Sequence, residues 1–302
     1  MEEARSQPRP LMILRLPIPP DFHFDAVVRS HGWYDLPPFV YDRAAGTLST
    51  LVATSDGAAR IEFRQAGPKL EAKAAGLDRR TLAAITRRVF SLDVELDGFA
   101  GSLADSPELS RAFARAGGRM LRAPTPFEDT VKMLFTTNCT WAATKGMVVR
   151  LIETAGVAGA FPTADAVAKL PAGRLKSRVR CGYRTGALAR LARRVARGQL
   201  ELLSWESREA PSQEVRAAIL AEQGFGPYAA EGLLRILGRH DFLAIDSWIR
   251  QKYRSLYRGP AKSTDNAIAR RYARFGAYRG LALWLDMTKD WHEEERGDAK
   301  AE

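Results

Sequence analysis

The spacing of apolar residues changes once along this chain, and that change limits the fold more than any other feature. Before Gly76 the apolar residues fall in short, often alternating runs: Leu11–Leu16, Phe39–Tyr41, Leu48–Ala53 and Ala59–Phe63. Pro37-Pro38, Asp42 to Gly46 and Ser55-Asp56-Gly57 separate them. Such runs broken by Pro, Gly and Asp read as strands joined by hairpins. After Gly76 the spacing becomes helical. Asp78 can cap a helix that carries Leu82, Ile85, Val89 and Phe90 on one face. Phe99 to Ser106 reads as a polar connection. Helical patterns then follow at 107–117, 126–137, 140–155, 163–170, 183–197, 211–222, 227–238, 245–256, 263–275 and 278–289. The expected fold class is therefore α+β. A small antiparallel β-sheet domain with helices (10–104) should precede an all-α domain (105–291) and a charged tail (292–302). Residues 1–9 are polar and expected to be loose.

Composition excludes several function classes. With 46% hydrophobic and 27% charged residues the chain is an ordinary globular one, not a disordered one. Cys139 and Cys181 are too few for a disulfide framework, a four-cysteine zinc site or an iron–sulfur cluster. Four scattered histidines (His23, His31, His240, His292) argue against a histidine-based catalytic metal, so no metal is expected on side chains. No run approaches the ~20 apolar residues of a membrane span. A cytoplasmic, nucleoid-associated monomer with reduced thiols is expected.

The net charge is +11. Arg174 to Arg197 holds nine cations (Arg174, Lys176, Arg178, Arg180, Arg184, Arg190, Arg193, Arg194, Arg197) and no Asp or Glu. A solvated helix face normally mixes signs to gain i,i+4 pairs. Two readings are open. Phosphates of a nucleic acid could supply the missing counter-charge, or acidic groups elsewhere in the fold could.

The most informative stretch runs from Glu214 to Tyr253. One helix ends near Leu220, Gly224-Phe225-Gly226 follows, and Pro227 stands where a second helix should start. The glycines permit a tight hairpin with φ > 0 and a close backbone approach. The free N–H groups of the second helix would favour a phosphate over the turn. Leu233, Leu234, Ile236 and Leu237 read as buried. After Phe242-Leu243-Ala244-Ile245, Asp246 opens a further helix bearing Trp248, Ile249 and Tyr253. Asp246 reads either as a plain N-cap or as a carboxylate placed for chemistry.

At these residues the chain resembles the helix–hairpin–helix DNA glycosylases of base-excision repair. The resemblance lies in G-F-G-P-Y-A-A at Gly224–Ala230 and F-L-A-I-D-S-W-I-R-Q-K-Y at Phe242–Tyr253, and extends over nearly the whole chain. Pro126-Phe127-Glu128 through Leu151 is similar to the first core helices of that superfamily. Cys181-Gly182-Tyr183-Arg184 is similar to its G-Y-R element. Arg270 through Trp291 and the N-terminal sheet resemble bacterial 3-methyladenine DNA glycosylase II, and the sheet also resembles that of 8-oxoguanine DNA glycosylase.

The resemblance implies a catalytic role for Asp246, which would stabilise positive charge on the sugar and orient or deprotonate water. The glycine hairpin and the acid-free basic stretch give the expected contacts to the DNA backbone: Gly224 and Gly226, with Arg190, Arg193 and Arg194. Thr136-Thr137-Asn138 resembles the Ser-Ser-Asn run of the oxoguanine branch. That likeness implies that Asn138 and Arg184 read the orphaned opposite base while Tyr183 wedges into the stack. Cys139 and Ala143 stand where that branch has a second Asn and another Arg. Tyr228 stands where the bifunctional members carry a lysine nucleophile, so a Schiff base is not expected there. A structural monovalent cation on the carbonyls of Leu220, Glu222 and Phe225 is implied, and no other cofactor. Tyr228 and Trp248, and more distantly Trp33 and Trp141, are the aromatics expected to line a base pocket.

The function expected is a monofunctional DNA glycosylase that excises alkylated, 3-methyladenine-type purines flipped from duplex DNA. An 8-oxoguanine glycosylase is the alternative within the class. A non-catalytic helix–hairpin–helix DNA-binding protein is the alternative outside it.

Overall fold

The structure is a computed structural model that describes residues 10–257 and 264–292. Residues 1–9 and, after His292, the expected tail lie outside the described residues. Five antiparallel strands come first: β1 (Leu11–Pro17), β2 (Val40–Asp42), β3 (Thr47–Thr54), β4 (Gly57–Ala66) and β5 (Lys69–Ala75). Their order in the sheet is β1-β5-β4-β3-β2. Pairing Leu48 with Phe63, and Phe63 with Ala72, brings the apolar positions of three strands onto one face. Because side chains alternate along a strand, a slip of one residue would turn that face to water.

Short α1 (Phe24–Val28) and longer α2 (Arg79–Val89) accompany the sheet. The Asp78 side chain caps α2, its Oδ1 accepting the Thr81 N–H at 2.9 Å. Leu82, Thr86 and Val89 of α2 are buried. Phe90, just after it, packs its ring against those of Phe22, Phe24 and Phe63 at centroid distances of 6.0, 5.3 and 5.2 Å. Each such pair adds roughly 0.5–1.5 kcal/mol beyond the area it buries.

The helices that follow are α3 (Asp97–Gly101), α4 (Pro107–Ala116), α5 (Pro126–Thr136), α6 (Trp141–Ala155), α7 (Ala164–Ala168), α8 (Ala172–Arg174) and α9 (Arg184–Ala196). Then come α10 (Ser212–Leu220), α11 (Pro227–Ile236), α12 (Ser247–Tyr257), α13 (Asp265–Tyr272) and α14 (Arg279–Thr288). The expected connection at 99–106 contains the end of α3, and a π-helical turn, Leu175–Val179, precedes α9. The apolar interior forms two clusters. One joins the sheet to α5–α7 and α9–α11. The other joins Val94–Met120 to α12, α13 and α14. No helix among the described residues is long and apolar enough to cross a membrane.

Two polar locks tie distant segments together. Asp129 of α5 is fully buried and accepts hydrogen bonds from Trp33 Nε1 (2.7 Å), the Ala123 N–H (2.9 Å) and Arg88 Nη2 (2.8 Å). Arg88 also pairs with Glu206 at 2.6 Å. At the end of α11, buried Arg122 donates to the carbonyls of Ile236 (2.9 Å) and Leu237 (3.0 Å). A cation on the last carbonyls of a helix satisfies orphan acceptors and complements the dipole.

Candidate active site

α10, the glycine turn and α11 form the helix–hairpin–helix. Gly224 has φ +92°, and a Cβ there would come within 2.7 Å of Leu134 Cδ1 on α5 and 3.1 Å of Ala187 on α9. Only glycine meets both demands. Gly226 is extended rather than left-handed and stands in open space as the N-cap of α11. The two glycines therefore differ: the first fits the turn into the core, and the second leaves backbone exposed.

Asp246 stands half-buried at the start of α12. Its Oδ1 accepts the Ile249 N–H at 2.7 Å, and its backbone carbonyl accepts the Arg250 N–H at 3.0 Å. The N-cap reading is thus satisfied by one oxygen. Oδ2 takes no hydrogen bond from the described residues. Tyr228, at the N-terminus of α11, lies within electrostatic reach of this carboxylate. Burial and the Asp246 charge both push the Tyr228 phenol above its usual value, with a hydrogen bond to Thr136 acting the other way.

An aromatic cluster stands over the same region. Trp248 is 37% exposed and lies 5.9 Å from Trp284 and 5.8 Å from Trp291, ring to ring; Trp284 and Trp291 are 5.6 Å apart. Trp291 also lines a cavity of about 300 Å³ with Arg29, His31, Gly32 and Tyr34. Trp141 lies against Gly32, where a Cβ would meet its ring at 2.5 Å, and donates from Nε1 to Asp35 at 2.8 Å. Beneath Trp284, the Arg235 guanidinium stacks 3.9 Å from the ring centroid. A larger cavity of about 640 Å³, at Asp93, Arg208, His240 and Tyr278, lies at the far end of α11 and holds none of the expected site residues.

Several expectations need correction. Trp33 is 3% exposed and its indole N–H is held by Asp129, so it is a lock between segments and not a pocket wall. Arg184 is buried, with Nε on Thr137 Oγ1 at 3.0 Å and Nη2 on the Thr137 carbonyl. In this conformation those donors serve Thr137 instead of an orphaned base. Arg194 is ion-paired with the buried carboxylate of Glu222, which removes it from the set of open cations. Tyr183, by contrast, is 63% exposed. Exposed Asn138, with φ +45°, reaches its hydroxyl at 3.4 Å. Arg174, Lys176, Arg178, Arg180, Arg190, Arg193 and Arg197 are exposed and form no ion pair among the described residues. No carboxylate among the described residues pairs with these seven, although Glu153 lines a cavity with Arg174, Arg178 and Arg180.

Arg235, Trp284 and Trp291 were not anticipated as site residues. A signal existed for Arg235, an arginine inside the apolar run Leu233–Leu237 and two helical turns after Tyr228.

Neither protein-family models nor curated protein sequences match this chain. Solved structures do. MBOgg1 in complex with a low-affinity DNA ligand superposes with TM-score 0.69 at 19% identity, covering 93% of this chain and 96% of that one. The Clostridium acetobutylicum 8-oxoguanine glycosylase/lyase, in complex with duplex DNA containing cytosine opposite 8-oxoguanine, gives 0.66 at 16%, covering 89% and 93%. The 3-methyladenine DNA glycosylase from Archaeoglobus fulgidus gives 0.69 at 18%, covering 92% and 99%. Over nearly its whole length, the chain has the fold of these helix–hairpin–helix DNA glycosylases.

Proposed function

We propose that this protein is a monofunctional DNA glycosylase that hydrolyses the N-glycosidic bond of a damaged purine flipped out of duplex DNA. The observation that carries this reading is Asp246. One oxygen fixes the carboxylate to α12 and the other takes no hydrogen bond from the described residues, with Tyr228 in electrostatic reach and half-exposed Trp248 two residues along the chain. Flipping removes the base from the stack at a cost of a few kcal/mol. Tyr183, exposed beside Asn138, is suited to fill the gap. Cleavage then builds positive charge on the sugar, which the charge of Asp246 stabilises. Water adds to the anomeric carbon and loses a proton to the carboxylate. Tyr228 offers no amine, so the product is an intact abasic site.

The duplex rests on the glycine hairpin and on the exposed arginines before and along α9. A monovalent cation on the carbonyls of Leu220, Glu222 and Phe225 belongs to the same reading, since carbonyl oxygens suit a hard cation. The protein acts as a monomer.

Asp246→Asn tests the chemistry. Asparagine caps a helix about as well as aspartate but carries no charge. Base release from lesion-bearing duplexes should fall at least about 10²-fold, with binding of undamaged duplex unchanged. Full activity in the variant would remove Asp246 from the reaction. Borohydride should trap no covalent complex with wild type, and efficient trapping would show that an amine serves as nucleophile.

A further inference from the structure

We propose that Arg235 makes the base pocket selective for neutral purines that present a carbonyl oxygen, and against purines that already carry positive charge. This inference rests on the glycosylase reading above and names its substrate class. It also departs from the alkylated purine expected from the sequence.

Three observations carry it. First, Arg235 shares one face of α11 with Tyr228, two turns away. Asp246 and Tyr228 are the groups whose charge it feels. Gly232 lies between them on that face, and the Met133 side chain packs against it, a Cβ there meeting Met133 Cε at 3.1 Å. Second, Arg235 is only 8% exposed, yet it forms no ion pair and no hydrogen bond among the described residues. Its Nη1 is fully buried without a partner. Buried guanidinium N–H groups normally find acceptors. The other buried arginines of this fold do: Arg88, Arg119, Arg122, Arg184 and Arg239 all donate to carbonyls or carboxylates. Third, the guanidinium is stacked on Trp284, whose ring touches Trp248 and Trp291. Stacking fixes the plane of the donors and leaves Nη1 without an acceptor.

Burial lowers Arg235 to about 10, so it stays charged at neutral pH. An unpaired cation with an unsatisfied donor, within electrostatic reach of the carboxylate that would face the sugar, acts on a bound base in two ways. It donates to a carbonyl oxygen, as guanidinium does in planar recognition. It also stabilises negative charge on the leaving base. When a neutral purine departs, the bond between the anomeric carbon and the ring nitrogen breaks with its electron pair on the base. Water supplies the oxygen that replaces it and gives one proton to Asp246. The base anion takes up a proton from solvent. A purine cationic through ring methylation leaves as a neutral base, needs no such help, and is repelled by Arg235 while bound.

The test measures single-turnover base release from duplexes containing 8-oxoguanine, hypoxanthine or 7-methylguanine, by wild type, Arg235→Gln and Arg235→Lys. Wild type should release at least one of the two oxopurines 10²-fold faster than 7-methylguanine. Arg235→Gln should lose oxopurine release 10²- to 10³-fold with no loss on 7-methylguanine, and Arg235→Lys should restore part of it. Affinity for undamaged duplex, unchanged across the three proteins, reports that the variants are folded. Wild type releasing 7-methylguanine preferentially, with Arg235→Gln preserving that ratio, would overturn the selectivity and leave the glycosylase reading standing. Release of no base by wild type would overturn both.

Discussion

Asp129→Ala should cost the fold about 5 kcal/mol, and the structure shows where that figure arises. Oδ1 of Asp129 accepts the Trp33 indole N–H at 2.7 Å and the Ala123 N–H at 2.9 Å, and Oδ2 accepts Arg88 at 2.8 Å. Alanine leaves two buried neutral donors without an acceptor, at roughly 1–3 kcal/mol each. Stranding a buried charge would add about 3–5 kcal/mol if Arg88 were left with no partner. It is not, because Glu206 stays at 2.6 Å. The charge contribution is therefore small beside the two orphaned donors, and the total approaches the whole stability of a weak domain, about 5–15 kcal/mol. Urea unfolding followed by circular dichroism measures it. Trp33→Phe removes one donor and should cost about 2 kcal/mol, with Trp33 and Asp129 coupled by about 0.5–3 kcal/mol in a double-mutant cycle. Base release by Trp33→Phe, assayed well below its unfolding temperature, should match wild type. Asp129→Ala within about 1 kcal/mol of wild type would refute this account. So would a stable Trp33→Phe protein that has lost base release, since Trp33 would then belong to the pocket after all.

Replacing Arg190 and Arg193 by alanine should lower the log–log salt slope of duplex binding by about 0.9 for each phosphate that these side chains neutralise. Arg194→Ala should leave that slope unchanged, because Glu222 already holds its charge. Tyr183→Ala should also spare the slope but reduce flipping, read as a smaller fluorescence rise from 2-aminopurine placed beside the lesion; an undiminished rise would remove Tyr183 as the wedge. His240 gives a pH prediction. Burial, with Arg208, Arg235 and Arg122 nearby, holds it down to about 3 from 6.5. The unfolded chain therefore binds the proton first, so stability is full above pH 6.5 and falls as pH drops towards 3. His240→Phe should gain about 2 kcal/mol on wild type between pH 7.5 and pH 5, and denaturant midpoints that move in parallel would contradict this.

The parts legible in the sequence were those with local causes. Helical spacing located the longer helices but not the short α1, α3 and α8, and Asp78 and Asp246 cap α2 and α12 as their positions suggested. β5 escaped because Lys-Leu-Glu-Ala-Lys-Ala-Ala is poor in β-branched and aromatic residues. Its small buried face, Leu70, Ala72 and Ala74, is explained only by the strands beside it. The misread arginines have distant partners. Arg184 finds Thr137 and Arg194 finds Glu222 across 47 and 28 positions, so an acid-free stretch looked more uniformly open than it is. Trp33 reads as a site aromatic until Asp129, 96 residues on, is seen to hold it.

Asp246 gives one oxygen to secondary structure and keeps the other free of hydrogen bonds from the described residues. The carboxylate cannot swing without releasing the first turn of α12, so its aim is set when the helix forms and needs no adjustment at each turnover. Helix ends fray before helices melt. With Asp246 in its proposed role, a modest rise in temperature that loosens residues 246–249 would therefore silence base release while the tryptophan core and the sheet remain native. Activity should fade with warming ahead of unfolding, and it should return on cooling.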